Sequence, residues 1–304
     1  MDPTPDSEDV VSERGTQTWR DEVLAWVTEA TGLHPTGEVT QRHRAWSTVL
    51  RVPTAEGPVW VKEPCAGMAH EVGLHTLLAR LAPDAVATPL AVAGRRLLLP
   101  DTGPSVRDTG TDPSAALTEA LPRYARVQRA VAGHLEAMRA LDVPDATPPA
   151  LPARYAEAVA TIGPATAPVA AWAEALDGTA PSTVDHQDLH AGNVLLDGRF
   201  ADWGDAVLAH PFASLLVALG SLRRVLEVTP DDPAITRPRD AYLDVFADLA
   251  PHDELRALAE TACRAAVIAR ALTWTRGPAA DPRFADAPRE TLAALGDPDW
   301  LAGT

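Results

Sequence analysis

The chain has 304 residues, a formal net charge of −16, 46% hydrophobic and 22% charged residues. That length and balance suit a globular chain of two lobes with a real core, and the acidity argues against a nucleic-acid partner, which would want a basic face. Two cysteines, Cys65 and Cys263, are too few for a disulfide framework or a metal cluster, no run approaches the ~18 apolar residues of a membrane span, and the start lacks a signal peptide, so a cytoplasmic protein is expected.

Residues 1–17 are polar and acidic and read as a flexible tail. From Thr18 to Thr31, Trp19, Val23, Trp26 and Val27 recur at helical spacing, on a helix expected to pack on the lobe that follows. Gly37 to Arg44, Ser47 to Thr54 and Pro58 to Glu63 read as three strands, the last two joined by Ala55-Glu56-Gly57. HEVGLHTLLARL, from His70 to Leu81, is helix-like. Ala85 to Ala93 and Arg95 to Leu99 read as two more strands around Gly94. Pro100 to Pro104 (PDTGP) breaks the pattern and reads as a hinge. It divides a strand-rich lobe, residues 18–101, from a mostly helical one, residues 102–304. Ser114 to Leu141 is mostly periodic, and Pro122 suits the first turn of a second helix. Pro144 to Pro152 is a proline-rich break. Further helices are expected near 153–162, 167–176, 211–227, 239–249, 252–275 and 288–295, with Phe212 to Leu222 apolar enough to be buried.

One segment of the helical half carries recognisable chemistry. His186, Asp188 and Asn193 stand at the H-x-D-x-x-x-x-N spacing of a kinase catalytic loop, and Asp202-Trp203-Gly204 stands where such enzymes carry D-F-G. Phosphoryl transfer needs a carboxylate beside the attacking hydroxyl and hard oxygen ligands for a magnesium ion that bridges the phosphates. Asp188 suits the first role, Asn193 and Asp202 the second. Val194 to Leu196 and Arg199 to Ala201 read as two short strands. Asp197-Gly198 between them is a hairpin signal that would fold Asp202 back toward Asn193. Upstream, Pro58-Val59-Trp60-Val61-Lys62 alternates as a strand should, and Lys62 is the one lysine beside 25 arginines. A planar guanidinium does not replace a compact ammonium, so the retained lysine marks a position that needs one. Glu71, in the helix-like run that follows, is its candidate partner.

HQDLHAGNVLL followed by ADWGDA resembles the aminoglycoside phosphotransferase family, relatives of choline kinase and of the protein kinases. The H-x-D-L-H-x-G-N form, with His190 where protein kinases have lysine, is typical of that family, and the resemblance covers residues 37 to 275, roughly. It implies an α+β, bilobal, protein kinase-like fold with a nucleotide cleft between the lobes. It also implies transfer of the γ-phosphate of ATP or GTP, with Mg²⁺, to a hydroxyl of a small molecule. On that pattern Asp188 is the catalytic carboxylate, Asn193 and Asp202 hold the metal, and Lys62 meets the phosphates while Glu71 holds it. His186 braces the loop. Leu99, just before the hinge, and Asp101, within it, are candidates at the point where an adenine would bond to backbone groups. No G-x-G-x-x-G loop is present, so the candidates for the phosphates are backbone amides of the stretch Thr40 to Ser47, or its side chains Arg42, Arg44 and Ser47.

The acceptor site is expected in the helical half, from His190, Asp205, Arg270 and Trp274, whose ring could stack on a sugar. The acidity is compatible with a cationic acceptor. No A-P-E segment follows Asp202, which argues against a protein substrate. The leading reading is a phosphotransferase for an aminoglycoside or another hydroxylated antibiotic, conferring resistance. A second is a metabolic kinase for a sugar, amino sugar or amino alcohol. A third, a pseudokinase used as a binding module, is disfavoured by the intact Lys62, Asp188, Asn193 and Asp202. A monomer or homodimer without membrane or nucleic-acid partners is expected.

Overall fold

In the computed structural model, which describes residues 13–277 and 282–303, the first helix, α1 (Gln17–Thr31), starts at a side-chain cap from Thr16 to Trp19 N and stops at left-handed Gly32. Residues 1–12 of the expected tail lie outside the described residues. Arg14, just after them, is buried, and its carbonyl accepts from Gln41 Nε2. The five strands β1 (Thr40–His43), β2 (Ser47–Val52), β3 (Val59–Pro64), β4 (Ala91–Ala93) and β5 (Arg96–Pro100) form one antiparallel sheet in the order β1-β2-β3-β5-β4. Side chains alternate across it. Leu50, Val52, Val59, Val61 and Leu98 turn to one face and make a small core with Trp19, Val23 and Val27 of α1. The period of two therefore puts Trp60 and Lys62 on the other face.

Helix α2 (His70–Leu81) follows β3 in sequence, yet its Leu74, Leu77 and Leu78 belong to the larger core of the helical half. That half contains α3 (Pro113–Val131), α4 (Leu135–Arg139), α5 (Leu151–Thr161), α6 (Val169–Leu176), α7 (Leu215–Leu226), α8 (Pro233–Asp244), α9 (His252–Trp274) and α10 (Ala287–Ala293). Within it, β6 (Thr183–Asp185) pairs antiparallel with β7 (Val207–Ala209), and the residues between them form the loop singled out above. Among the described residues no helix is long and apolar enough to cross a membrane.

Four expectations are corrected. The strand expected over 85–93 exists only at Ala91–Ala93; Ala85 and Val86 are buried in the larger core, and the Ala85 carbonyl takes Phe200 N. Pro122 starts no new helix. It lies inside α3, whose buried face runs on through Leu121, Tyr124, Ala125 and Gln128, so packing outweighs the hydrogen bond a proline removes. Helix α8 begins well before residue 239, at Pro233, where Asp232 caps Ala234 N. The strands expected at 194–196 and 199–201 shrink to one bridge, Val194 to Phe200, although the turn forms, with Gly198 at φ 84° and Leu195 N on Arg199 O.

Truncating Leu50, fully buried between the sheet and α1, should cost about 2–5 kcal/mol. Urea unfolding of Leu50→Ala should show this as a lower midpoint at unchanged slope; an unshifted midpoint would mean that α1 does not hold the sheet.

Candidate active site

Three elements meet at Lys62. β3 presents the lysine, α2 presents Glu71 from its first turn, and the segment after Phe200 presents Asp202. Lys62 Nζ donates to Glu71 Oε1 at 2.6 Å and to Asp202 Oδ1 at 2.5 Å, so one ammonium bridges two carboxylates from distant parts of the chain. Glu71 is buried, its second oxygen is unpartnered, and that oxygen lies against Gly204, where a Cβ would come within 3.1 Å of it. Burial lifts the Glu71 carboxyl to about 7 against the pull of Lys62. The cleft walls oppose charge on Asp202 too, but the Lys62 ammonium outweighs them and holds that carboxyl at about 2. Burial would lower Lys62; Asp202 and then Glu71 more than offset it and hold the ammonium above the usual lysine range.

Asp188 sits on a loop built over a buried carboxylate. Asp185, the last residue of β6, is fully buried and accepts from Gln187 N at 3.0 Å and Ser214 Oγ at 2.7 Å. Burial pushes its carboxyl up, and the bonds from Ser214 and Gln187 oppose that. Below it, Gln128 Nε2 reaches Val184 O, Pro211 O and Ser214 Oγ, and Tyr242 donates to Gln128 Oε1 at 2.6 Å. Tyr124 OH receives His186 N at 2.9 Å. His186 is buried, and its Nε2–H donates to Ala201 O at 2.9 Å with the ring 4.7 Å from that of Trp203. Burial lowers the imidazole to about 4. The neutral ring thus ties the loop to the segment that carries Asp202. Two residues of the region hold left-handed backbone without being glycine, Gln187 at φ 60° and Asp202 at φ 67°.

The Asp188 carboxylate is held at both oxygens. Oδ1 accepts from Arg270 Nη2 at 3.2 Å, and Oδ2 accepts from Asn193 Nδ2 at 3.1 Å. His190 Nε2 lies 3.5 Å from Oδ2, while its Nδ1 accepts from Gly192 N. Arg270 also binds Asp205 Oδ2 at 2.8 Å. A cavity of about 310 Å³ brings together Arg42 and Ser47 from the first strands, Lys62, Glu71, Asp188, Asp202, Asp205, Arg270 and Trp274. Leu99 and Asp101 lie outside it; Asp101 instead accepts from Trp60 Nε1 at 3.0 Å, and Leu99 is the register partner of Trp60. A larger cavity, of about 820 Å³, lies on the other side of the α9 terminus, where Arg276 lines it and bonds Asp205 O at 3.4 Å. It contains none of Lys62, Asp188 and Asp202.

The donor set fits magnesium. Asp202 offers an ionised carboxylate whose side chain is 46% exposed, and Asn193, with its amide nitrogen on Asp188, has its oxygen to offer. Both are hard oxygen donors, and one or two such ligands suffice when phosphates complete the shell. Among the described residues no group of three or more His, Cys, Asp and Glu is placed to hold a metal by itself.

Sequence reasoning missed several contributors. Asp185 stands directly before the motif, and its role depends on Ser214, Gln128 and Tyr242 from three other elements. Trp46, at the β1–β2 turn, packs edge-on against Trp274 at 5.8 Å and Phe284 at 5.2 Å, and Trp274 stacks on Phe284 at 5.4 Å. The turn thereby reaches the end of α9, and the Arg44 amide is used within it, on Ser47 O. Nothing in local patterning links positions 46, 274 and 284.

A sheet-bearing half and a helical half that set an ammonium, two carboxylates and an amide about one cleft define the protein kinase-like class of small-molecule kinases. The chain belongs to the phosphotransferase enzyme family, the APH family, whose model matches residues 32–258. No curated protein matches it by sequence. Among solved structures, a macrolide 2′-phosphotransferase from Brachybacterium faecium aligns with TM-score 0.60 at 20% identity, over 91% of this chain and 97% of that one. A type I macrolide 2′-phosphotransferase aligns with TM-score 0.60 at 14% identity, over 92% and 98%. A spectinomycin phosphotransferase solved with ADP and spectinomycin aligns with TM-score 0.50 at 11% identity, over 93% and 96%. At these identities the likeness is one of fold.

Burial holds four histidines below their usual range, His70 and His210 at about 3, His75 and His186 at about 4. Each is neutral when folded and takes a proton below about 6.5 when unfolded, so its stabilisation is complete above that pH and lost as pH falls toward the folded value. Glu71 acts oppositely, losing stabilisation as pH rises from 4.5 to about 7. Asp185 and Asp205, whose carboxyls burial also pushes up, act in the same sense as Glu71, but the four histidines outweigh the three carboxyls, so the urea midpoint should fall from pH 6.5 to 4, each histidine adding up to ~1.4 kcal/mol per pH unit. His186→Asn should flatten that slope, and an unchanged slope would mean that the imidazole is not held neutral.

Proposed function

We propose that the chain transfers the γ-phosphate of ATP or GTP to a hydroxyl of a small molecule, and that the acceptor is an aminoglycoside or another hydroxylated antibiotic. The convergence of Lys62, Asp188 and Asp202 on one cavity carries this reading. Asp188 orients the acceptor hydroxyl and takes its proton as the new oxygen–phosphorus bond forms and the bond to the β-phosphate oxygen breaks, leaving the nucleoside diphosphate. Lys62, steadied by Glu71, meets the phosphates of the donor. Asn193 and Asp202 would hold magnesium, which when bound neutralises charge on the phosphates. Arg42 and Ser47 reach the same cavity from β1 and β2 and supply side-chain contacts where a glycine-rich loop would supply amides. Positioning and charge neutralisation supply the rate.

Asp188, Asp202 and Asp205 in the cavity, with a net charge of −16, suit a cationic acceptor. Structures of like fold include a macrolide 2′-phosphotransferase and a spectinomycin phosphotransferase, which supports an antibiotic as the acceptor.

A thermal-unfolding series with ATP and with GTP, each with and without Mg²⁺, should give a magnesium-dependent rise in midpoint for one of them. A nucleotide at a hundred times its Kd stabilises by about 2.7 kcal/mol, worth several degrees for a chain of this size. That donor should then phosphorylate a member of a panel holding an aminoglycoside, a macrolide, spectinomycin and ethanolamine. Asp188→Ala should lose ~10²–10⁴-fold in transfer while still binding the magnesium nucleotide. Lys62→Arg should also be damaging despite its charge, because a fork does not reproduce one ammonium between two carboxylates. A wild-type rate in Asp188→Ala would end the assignment.

A further inference from the structure

The guanidinium of Arg270 is committed to protein groups. Nη1 donates to Gln187 O and to Asp205 Oδ2, each at 2.8 Å, and Nη2 donates to Asp188 Oδ1 at 3.2 Å. Its Cζ sits over the Trp274 ring, 4.7 Å from the centroid, one helical turn along α9, and the side chain is only 11% exposed. Little of its surface is left for a ligand. What it does touch is telling. Asp188 is the proposed catalytic carboxylate, and Gln187, the residue before it, holds left-handed backbone at φ 60°. Such a conformation is strained for a residue with a Cβ and persists only when its surroundings hold it.

The two oxygens of Asp188 are held by different parts of the fold. The loop itself supplies Asn193 at Oδ2, with His190 nearby. Oδ1 has its partner from α9, far along the chain. Without it the carboxylate could turn about its last bond and carry its free lone pairs away from the acceptor. Trp274 extends the arrangement, because its ring also meets Phe284 and the Trp46 of the β1–β2 turn. The clamp on Asp188 and the turn that would cover the donor phosphates thus lean on one aromatic surface.

We propose that Arg270 is a positioning residue, which fixes the direction of the Asp188 carboxylate and the strained backbone before it, and does not bind the acceptor. This rests on the phosphotransferase reading above. Arginine is required because a single side chain must reach a carbonyl and two carboxylates in a fixed fork, which an ammonium on a flexible stem does not reproduce. A displacement of ~1 Å in a reacting group costs ~10²-fold, which sets the size of the effect.

The experiment measures phosphoryl transfer from the magnesium nucleotide by wild type, Arg270→Ala and Arg270→Lys. The acceptor is the one found in the panel, or water when the panel gives none. Each variant is titrated with guanidinium chloride and, at equal ionic strength, with sodium chloride. Arg270→Ala should lose ~10²-fold or more in kcat with KM for nucleotide and acceptor nearly unchanged, guanidinium should restore part of that kcat where sodium does not, and Arg270→Lys should fall between. A wild-type kcat, a raised acceptor KM at unchanged kcat, or a loss that guanidinium leaves untouched would overturn the proposal. Should Arg270→Ala fail to fold, Arg270→Lys decides: a reduced kcat at an unchanged unfolding midpoint supports the clamp, and a wild-type kcat rejects it. A wild type inactive toward every acceptor and water rejects the phosphotransferase reading itself, whereas an active wild type matched by Arg270→Ala rejects only the clamp.

Discussion

One ammonium holds the cleft together. Lys62 Nζ lies between Glu71 and Asp202, and these three residues come from the sheet, from α2 and from the segment beyond the Asp188 loop. Two carboxylates so close to one another repel, and in a cleft of low polarity the repulsion is large. The lysine reverses it for Asp202, which stays ionised, and leaves the better-buried Glu71 with a raised carboxyl. Removing the cation would leave two uncompensated carboxylates, an arrangement much costlier than losing a surface pair. The packing makes the same connection, since α2 buries its apolar face in the core of the helical half while its Glu71 faces the sheet.

Two of the four non-glycine residues with left-handed backbone among those described lie in this neighbourhood, the other two being Asp142 and Glu227, and buried hydrogen bonds hold the strain in place here. Gln187 and Asp202, both left-handed, flank the loop at its two ends. Asp185 fixes the first through the Gln187 amide, and the Asn193 carbonyl takes the amide of Ala201, next to the second. Beneath them, Tyr124, Gln128, Ser214 and Tyr242 satisfy each other and the backbone around β6. Each polar group in that layer would be costly if left unpaired, so the layer tolerates few arrangements and passes its rigidity to Asp188. His186 adds a neutral strut from the loop to the segment of Asp202, and Arg270 adds a charged one from α9.

The readings that held share a cause. Helix α2 spans His70–Leu81, as its local pattern implied, and Lys62 and Glu71 meet because strand and helix are separated by one short turn. Where expectation and structure part, the deciding partner is remote in sequence. Pro122 does not break α3 because α8 covers the helix on both sides of it. Ala85 and Val86 look like strand but are drawn down into the larger core. The pairing of β6 with β7 escaped notice because each strand has three residues, too few for a period to show.

By itself the sequence determined the motif residues, the single lysine, the order of the five strands in the sheet-bearing half with α1 and α2, and the kinase-like class, all of which rest on spacing along the chain or on residue chemistry. Tertiary structure alone decided that Arg270 joins the loop's own Asn193 and His190 around Asp188. Arg270 lies more than eighty residues downstream of that carboxylate, and no periodicity encodes the contact. Trp46, Trp274 and Phe284 likewise form one surface only after the β1–β2 turn and the end of α9 are brought together by folding. A side chain's neighbours within an element follow from the pitch of a helix or the pleat of a strand, whereas its neighbours across the molecule follow from how two cores pack, and that is a property of the whole chain.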